Sequence, residues 1–507
     1  MRFGLSSVLA TVLTTVILAG TVQAATQLNV NTLNKKLQET HAGWVAKETA
    51  VGSLSAAEAR RMMGYNRQGV QGVEFTNVSS YTRANLPTAL DWRDKGGINW
   101  ISPILNQANC GSCVAFASIG VLESMVNIAT GIPNINVHLS AQNLFSCGGG
   151  MCDYGWVPES AASFIQSTGV PDEACMPYVA GATGEDVACS ASCADTATRV
   201  VKIASFNAPT RMVRDVEAVK QALQNGPVVT TLSVYADFMN YASGVYKHVS
   251  GSVLGGHAIS IVGYDDAKQA FIVRNSWGHE WGQDGFGYVA YDDVSGVGEE
   301  TWSYQMPAVS GAVALLQPSD YSYSTGHIAI KASSTFAGTA SMLASVLNGN
   351  ESIASKSCAS PCEADLDVAA IPDGRYDLQT TAFDASGKVL GTSVRRMIYI
   401  ANTSPKISVT FKGKDVDLTQ PLKARVVFTI NTTTSSVPMS SLQFNFKGAD
   451  GVVHTKAANI VLSEMTLGWR TNLVANGTYE IWMTGHVDTN GFQNQVESQH
   501  LTVTTSN

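Results

Sequence analysis

The sequence predicts an α+β protein with an all-β C-terminal part, and three observations carry this prediction. Residues 114 to about 130 repeat apolar side chains at helical spacing, and Gly131 follows as a stop. Residues 258–262 alternate between two faces, as a strand does. Beyond Pro307, serine, threonine, valine and alanine dominate, and short alternating runs succeed one another.

Length and charge limit the classes of protein that this chain can be. Its 507 residues, of which 45% are hydrophobic, can form several cores. A net charge of −8 argues against nucleic acid as a partner. The sequence shows no metal-ligand cluster, Walker loop or dinucleotide fingerprint, so we expect neither a metal nor a cofactor.

Residues 1–24 have the organisation of a secretory signal peptide. One early arginine precedes an apolar stretch over residues 8–19, and residues 22–24 place small side chains at a cleavage site. The stretch is short for an anchor, and no later apolar run is long enough to span a bilayer. The sequence therefore predicts a secreted protein, extracellular or periplasmic, with no membrane span in its mature form.

Three separated motifs contain the residue types of acyl-transfer chemistry. Cys113 opens the predicted helix, His257 precedes the alternating run, and Asn275 ends a run read as the hairpin partner of that strand. A helix N-terminus and an imidazolium both lower the pKa of a thiol, and the thiolate is the nucleophile. The hairpin is expected to bring the Asn275 amide beside the His257 ring.

A glutamine six residues before the cysteine adds a hydrogen-bond donor. The side-chain amide of Gln107 and the backbone N–H of Cys113 are expected to stabilise a developing oxyanion together. Zinc or redox use of Cys110 and Cys113 is the alternative, and the distant histidine and asparagine disfavour it.

Over about residues 86–307 these motifs resemble the papain family of cysteine peptidases. The resemblance covers residues 86–93 near a typical mature start, residues 139–144, and the run Asn-Ser-Trp-Gly at 275–278. It implies a two-lobed fold, with a helical lobe and a β-barrel-like lobe, that hydrolyses proteins or peptides through a thioester. The roles it implies are Cys113 as nucleophile, His257 as general acid and base, Asn275 as orienting residue, Gln107 as oxyanion donor, Gly155 at the substrate-binding rim and Trp277 over the His257–Asn275 contact. The resemblance does not align the loops of the specificity pocket, for whose lining Trp156 and Ser303 are our candidates.

The chain departs from the family pattern at three positions. Val114 stands where an aromatic residue usually follows the nucleophile. Tyr154 stands in the glycine-rich rim, where we expect it to narrow a subsite. Gly298 stands where a cysteine is usual, and none of the three changes removes a catalytic group.

Nine cysteines in an exported chain predict disulfides, and eight remain when Cys113 is set aside. The family resemblance implies the pairs Cys110–Cys152, Cys147–Cys189 and Cys175–Cys193, with exchange of Cys189 and Cys193 as the alternative. Cys358 and Cys362 are expected to close a small loop of their own.

Residues 25–85 are polar and helix-prone. Ser55-Ala-Ala-Glu58 is a capping box that opens a helix near residues 59–63, with Gly64 as its stop. An ordinary helical arm is one interpretation. Ahead of a peptidase, an inhibitory propeptide removed near Leu86 is favoured, and residues 42–44 and 62–64 resemble the cathepsin B type.

The C-terminal region contains an internal repeat with an offset of about one hundred residues, the size of an immunoglobulin-like sandwich. Gly374-Arg-Tyr376 before Asp384-Ala-Ser-Gly387 matches Gly477-Thr-Tyr479 before Asp488-Thr-Asn-Gly491. The region resembles bacterial immunoglobulin-like modules, which implies two β-sandwiches over residues 308–404 and 405–507. The alternatives for their role are a spacer and a binding module for a cell surface or a polysaccharide.

The predicted function is that of a secreted cysteine endopeptidase made as an inactive precursor. Endopeptidase activity is favoured because the segment between Cys175 and Cys193 has no histidine-bearing insertion of the kind that blocks a cleft. One alternative is a surface-binding adhesin whose peptidase only processes itself. Another is a thiol acyltransferase, which the asparagine and the upstream glutamine disfavour.

Overall fold

The structure, a computed structural model, describes residues 28–66, 86–133, 135, 137–403, 407–414, 416–423, 425–434, 441–458, 464–471, 474–489 and 492–507. The predicted signal peptide and the predicted module boundary near Ser404 and Pro405 lie outside these residues.

Helices and strands follow one another as an α+β region and then a β region. The helices are α1 Val30–Glu39, α2 Ala56–Arg61, α3 Cys113–Thr130, α4 Ala141–Gly148, α5 Pro158–Ser167, α6 Ala180–Thr183 and α7 Val216–Leu223. The first nine strands are β1 Trp44–Ala46, β2 Ala89–Asp91, β3 Ser205–Thr210, β4 Val228–Tyr235, β5 Tyr241–Tyr246, β6 Val253–Asp265, β7 Ala270–Arg274, β8 Phe286–Ala290 and β9 Thr301–Gln305. Strands β10 to β18 are Val313–Gln317, Ser322–Ser324, His327–Ser334, Ser341–Asn348, Glu351–Cys358, Cys362–Asp367, Gly374–Phe383, Val389–Thr392 and Arg396–Ile400. Strands β19 to β26 are Ile407–Gly413, Arg425–Thr434, Ser441–Lys447, Val453–Ala458, Glu464–Arg470, Gly477–Thr489, Phe492–Glu497 and Leu501–Thr505.

The central helix α3 confirms the first sequence prediction. It begins at Cys113 and ends at Gly131, whose φ of 68° is the left-handed conformation that glycine adopts most readily. By length and composition α3 could cross a membrane, but 83% of it is buried in the protein, so it is a core helix. Helices α4 and α5 pack on it, and α3 to α6 form the helical lobe.

A nine-stranded sheet forms the second lobe. Its order is β1-β5-β8-β7-β6-β4-β9-β3, and β2 pairs with β6. The predicted hairpin is present, since β6 and β7 pair antiparallel across the turn at residues 266–269. The edge strand β1 comes from the N-terminal segment, by which we mean residues 28–66.

The N-terminal segment corrects one prediction. Helix α2 has the full capping box between Ser55 and Glu58, as expected. It ends at Arg61 with Met62 as its C-cap, so Gly64 does not stop it. Gly64 instead lies in extended chain that contacts the candidate site described below.

Four disulfides are present: the three pairs that the family resemblance implied and the local pair expected between Cys358 and Cys362. They are Cys110–Cys152, Cys147–Cys189, Cys175–Cys193 and Cys358–Cys362, and Cys113 is a buried free thiol.

Strands β10 to β18 form two sheets around one core, which we call the first two-sheet unit, and β19 to β26 form the second two-sheet unit. The repeat recurs in three dimensions. Gly374 begins β16 and Gly477 begins β24. The Tyr376 hydroxyl donates to the Pro372 carbonyl, and the Tyr479 hydroxyl donates to that of Ala475, both at 2.9 Å.

The first two-sheet unit is packed against the helical lobe. Ala314 of β10 is fully buried in the same core cluster as α3, and Leu316 and Val394 pack against that cluster. The chain therefore has no packing boundary at Pro307.

Candidate active site

Cys113 lies where the two lobes meet. It is fully buried at the first turn of α3, and its Sγ accepts the backbone N–H of Ala258 on β6 at 3.4 Å. The backbone N–H of Gly64 also faces the sulfur. A sulfur at a helix N-terminus, surrounded by N–H donors, is placed to carry negative charge.

The two residues predicted to work with the cysteine meet next to it. His257 precedes Ala258 on β6, and its Nε2 lies 2.9 Å from Oδ1 of Asn275, just beyond β7. Trp277 stacks on the imidazole with ring centroids 4.7 Å apart, so it covers this contact as expected. Among the described residues, Nδ1 of His257 has no hydrogen-bond partner and is available to a reacting group.

Gln107 is fixed by both lobes. Its backbone N–H donates to the Ser276 carbonyl at 2.9 Å, and its Oε1 accepts the Ser276 hydroxyl at 2.7 Å. Its Nε2 donates to the carbonyls of Met62 and Cys110, both at 3.0 Å. The N-terminal segment thus places a carbonyl oxygen on the amide that is expected to hold an oxyanion.

Burial keeps the cysteine and the histidine neutral while this segment is in place. It raises the pKa of Cys113 to about 11, although N–H donors such as that of Ala258 act against it. Burial also lowers the pKa of His257 to about 4, against the contact with Asn275. The pair is therefore a thiol and an imidazole near neutral pH.

Residues 64–66 run through the site as an added strand. The N–H of Trp156 donates to the Gly64 carbonyl at 2.7 Å, and the N–H of Asn66 donates to the Trp156 carbonyl at 3.3 Å. On the other side, the N–H of Tyr65 donates to the Gly256 carbonyl at 3.1 Å. Main-chain pairing of this kind gives affinity without depending on side chains.

The added strand at residues 64–66 lies so close to the loops at Gly111 and Gly155 that only glycine fits at positions 64 and 155. A Cβ on Gly64 would lie 1.7 Å from the Gly111 carbonyl oxygen. A Cβ on Gly155 would lie 2.1 Å from the Gly64 carbonyl oxygen, and its φ of 72° also favours glycine. Gly155 lies against Gly64, but the hydrogen bonds to residues 64–66 come from the next residue, Trp156.

The side chain of Tyr65 is buried between the added strand at residues 64–66 and the body of the peptidase. Its hydroxyl makes a short hydrogen bond to the buried carboxylate of Glu300, which also accepts the Thr231 hydroxyl at 2.9 Å. Trp156 belongs to the same buried cluster as Tyr65, whereas Ser303 pairs with Asn207 in the sheet. The polar partner of the Tyr65 side chain is thus Glu300, which the sequence interpretation missed.

Two further comparisons with the sequence predictions concern single residues. Tyr154 is 70% exposed, and its narrowing of a subsite stays a prediction. Ser276, which orients Gln107, was not singled out, although it directly follows Asn275 in the motif. Across the described part of the chain, no group of three or more His, Cys, Asp or Glu side chains could hold a metal.

Comparisons with known proteins agree with this geometry. The model of the papain family cysteine protease matches residues 86–305. Cathepsin B-like CP3 of Giardia intestinalis is 37% identical over 211 residues, which are 39% of this chain and 68% of that protein. Cathepsin S of Bos taurus is 32% identical over 247 residues, 46% of this chain and 70% of that protein. The solved procathepsin B S9 of Trypanosoma congolense has a TM-score of 0.48 and 25% identity, covering 55% of this chain and 98% of its own.

A cysteine at a helix start, beside a histidine that contacts an asparagine, defines a thiol-dependent peptidase. The identity to relatives that the chain largely covers makes the assignment specific. The chain belongs to the papain family of cysteine proteases.

Proposed function

We propose that this protein is a secreted endopeptidase, synthesised as a latent precursor, in which Cys113, His257, Asn275 and Gln107 form the catalytic centre. The observation that carries the proposal is their convergence in one buried site that main chain already occupies. The main chain of the N-terminal segment pairs with Trp156 and Gly256 across this site and places the Met62 carbonyl on the Gln107 amide.

The proposed reaction follows from the positions of these groups. The Cys113 thiolate attacks the substrate carbonyl carbon, and the oxyanion that forms is held by the Gln107 amide. Imidazolium His257 protonates the leaving amine, and the C–N bond breaks to leave a thioester. Neutral His257 then takes a proton from water as its oxygen attacks the thioester carbonyl carbon, and the C–S bond breaks to release the carboxylic acid and to restore the Cys113 thiolate beside imidazolium His257.

Latency follows from the same contacts. The N-terminal segment excludes substrate and water, and this burial raises the pKa of Cys113 and lowers that of His257. Removal of the segment exposes both groups to water, which reverses the main cause of both shifts. We therefore assign residues 25–85 as the inhibitory propeptide and expect cleavage near Leu86 to start activity.

The remaining assignments concern substrate binding, modules and location. Trp156, Gly155 and Trp277 are proposed to bind substrate, because the first two line the added strand and the third covers the histidine.

Residues 308–404 and 405–507 are proposed as immunoglobulin-like modules, since each of the matched tyrosines bonds the backbone four residues upstream, as a tyrosine corner does. Four disulfides fit secretion into an oxidising compartment.

Peptide hydrolysis by the processed protein tests the proposal. Under reducing conditions it should cleave internally quenched peptides with blocked ends, which only an endopeptidase can do. The Cys113→Ala variant should lose both cleavage and covalent labelling by an epoxide thiol inhibitor. A Ser118→Ala variant in the same helix, buried but outside the site, is the matched control and should keep both. Labelling that persists without Cys113 would contradict the assignment.

A further inference from the structure

A tyrosine of the first two-sheet unit reaches into the helical lobe. The hydroxyl of Tyr321 donates to Oε1 of Glu173 at 2.7 Å. Glu173 is buried with 3% exposure, and the same oxygen accepts the backbone N–H of Tyr178 at 2.7 Å. A carboxylate oxygen that accepts two N–H or O–H donors fixes the positions of both.

Tyr178 continues this connection to residues 107–112, the loop that precedes Cys113. Its hydroxyl donates to the Gln107 carbonyl at 2.8 Å. Because that hydroxyl has one hydrogen, its 2.7 Å contact with Ser112 must be accepted from the Ser112 hydroxyl. Four hydrogen bonds therefore link Tyr321 to Gln107 and to the residue before Cys113, which are the two ends of the loop 107–112.

The backbone of Tyr321 is held in an unfavourable conformation. Its φ is 60°, which is rare for a bulky residue and persists only where the surroundings determine it. Its N–H donates to the Met397 carbonyl at 2.7 Å, and the preceding Asp320 accepts the Met397 N–H at 2.8 Å. Asp320 also lies 3.6 Å from Nδ1 of His138 in the helical lobe.

The unit that carries Tyr321 is fixed at several other points. Arg199 of the peptidase pairs with Asp377 at 3.3 Å, and Arg395 pairs with Asp195 at 3.3 Å. Ala314 completes the core of the helical lobe. The tyrosine hydroxyl is thus held in place relative to the active site rather than carried on a swinging module.

We propose that Tyr321 is a positioning residue of the peptidase, which acts through Glu173 and Tyr178 to hold Gln107 where an oxyanion forms. This inference rests on the proposed function, because it takes Gln107 as the oxyanion donor. The first two-sheet unit is then part of the catalytic apparatus. Since the oxyanion exists only along the reaction path, the effect falls on kcat and leaves KM unchanged.

The test compares hydroxyl deletions in the processed full-length enzyme on a peptide substrate. Tyr321→Phe should lower kcat about tenfold, the size of effect expected for the loss of one buried hydrogen bond, with KM unchanged. Tyr321 is 39% exposed, so its ring tolerates the loss of the hydroxyl without opening a cavity. Tyr376→Phe removes a hydroxyl of the same unit that, among the described residues, bonds to Pro372 alone, and it should leave kcat unchanged.

A double-mutant cycle separates positioning from general weakening. In a Gln107→Ala background, Tyr321→Phe should have less than about twofold effect, since the group it acts through is gone. Tyr178→Phe, which interrupts the chain at its middle, should show the same dependence on Gln107. Unchanged kcat in Tyr321→Phe, or an equal loss in both backgrounds, would overturn the inference. Activity that survives Cys113→Ala would instead overturn the proposed function, so the two failures are distinguishable.

Discussion

A single methyl group on Gly64 should abolish latency. Its Cβ would lie 1.7 Å from the Gly111 carbonyl oxygen, and real Cβ atoms keep at least 3.0 Å from such atoms. Gly111 cannot withdraw easily, because its neighbour Cys110 is tied to Cys152 and its own N–H donates to the Cys152 carbonyl. The strand at residues 64–66 must therefore move by about 1.3 Å.

The energetic consequence follows from the bonds that the movement breaks. Four hydrogen bonds of 2.7–3.3 Å hold the main chain of residues 62–66: three from the main chain of Trp156 and Gly256, and one from the side-chain amide of Gln107. Each contributes about 1 kcal/mol, so their loss weakens the closed state by about 4 kcal/mol. At about 1.4 kcal/mol per factor of ten, the open population of Gly64→Ala rises about a thousandfold.

The assay measures two properties of uncut precursor. One is the initial rate of cleavage of a fluorogenic peptide, read before any shorter chain is visible on a gel. The other is the rate at which iodoacetamide alkylates Cys113, read by mass spectrometry. Gly64→Ala should raise both rates toward those of the processed enzyme.

The matched control is Gly43→Ala in the same segment. A Cβ there meets no atom within 4 Å, although the φ of 76° adds about 1 kcal/mol of backbone strain. This control should stay latent. If Gly64→Ala precursor remains as inactive and as slowly alkylated as the parent, the close contact with Gly111 does not determine latency.

Three further predictions concern side chains around the site and the interface. Tyr65→Phe, which removes the hydrogen bond to Glu300, should speed alkylation of Cys113 in intact precursor about tenfold; an unchanged rate would show that this bond does not hold the segment. Because burial raises the pKa of Cys113 to about 11, alkylation of the precursor should be slow at neutral pH and rise toward that pH; a precursor as reactive at neutral pH as the processed enzyme would contradict this. Burial alone would lower the pKa of His138, but carboxylates led by Asp320 raise it to about 10, above its ordinary 6.5. His138→Gln should therefore lower Tm by its full amount below pH 6.5, and the difference in Tm from the parent should disappear as the pH rises through 10. A Tm difference that grows with pH would refute this prediction.

Local signals in the sequence predicted the parts of the site that depend on neighbouring residues. The helix that begins at Cys113 and the hairpin that carries His257 follow from periodicity over a few residues. Asn275 meets His257 because a hairpin brings the ends of its strands together. The pairing of Cys110 with Cys152, by contrast, came from the family resemblance and not from spacing.

Contacts between distant segments could not be predicted in the same way. Gly64 looked like a helix stop because its spacing from the capping box fits one, yet its small size serves an approach to Gly111. Glu300 and Tyr65 are 235 positions apart, and the sequence around each residue contains no motif that predicts their contact. Tyr321 lies in a stretch that reads only as the start of a β module.

The burial of Ala314 among the helices of the peptidase has a consequence for biosynthesis. Strand β10 leaves the ribosome after every catalytic residue, so the helical lobe cannot close its interior until the following unit has been made. A chain that ended just beyond Pro307 would leave a gap beside α3, where the side chain of Ala314 packs.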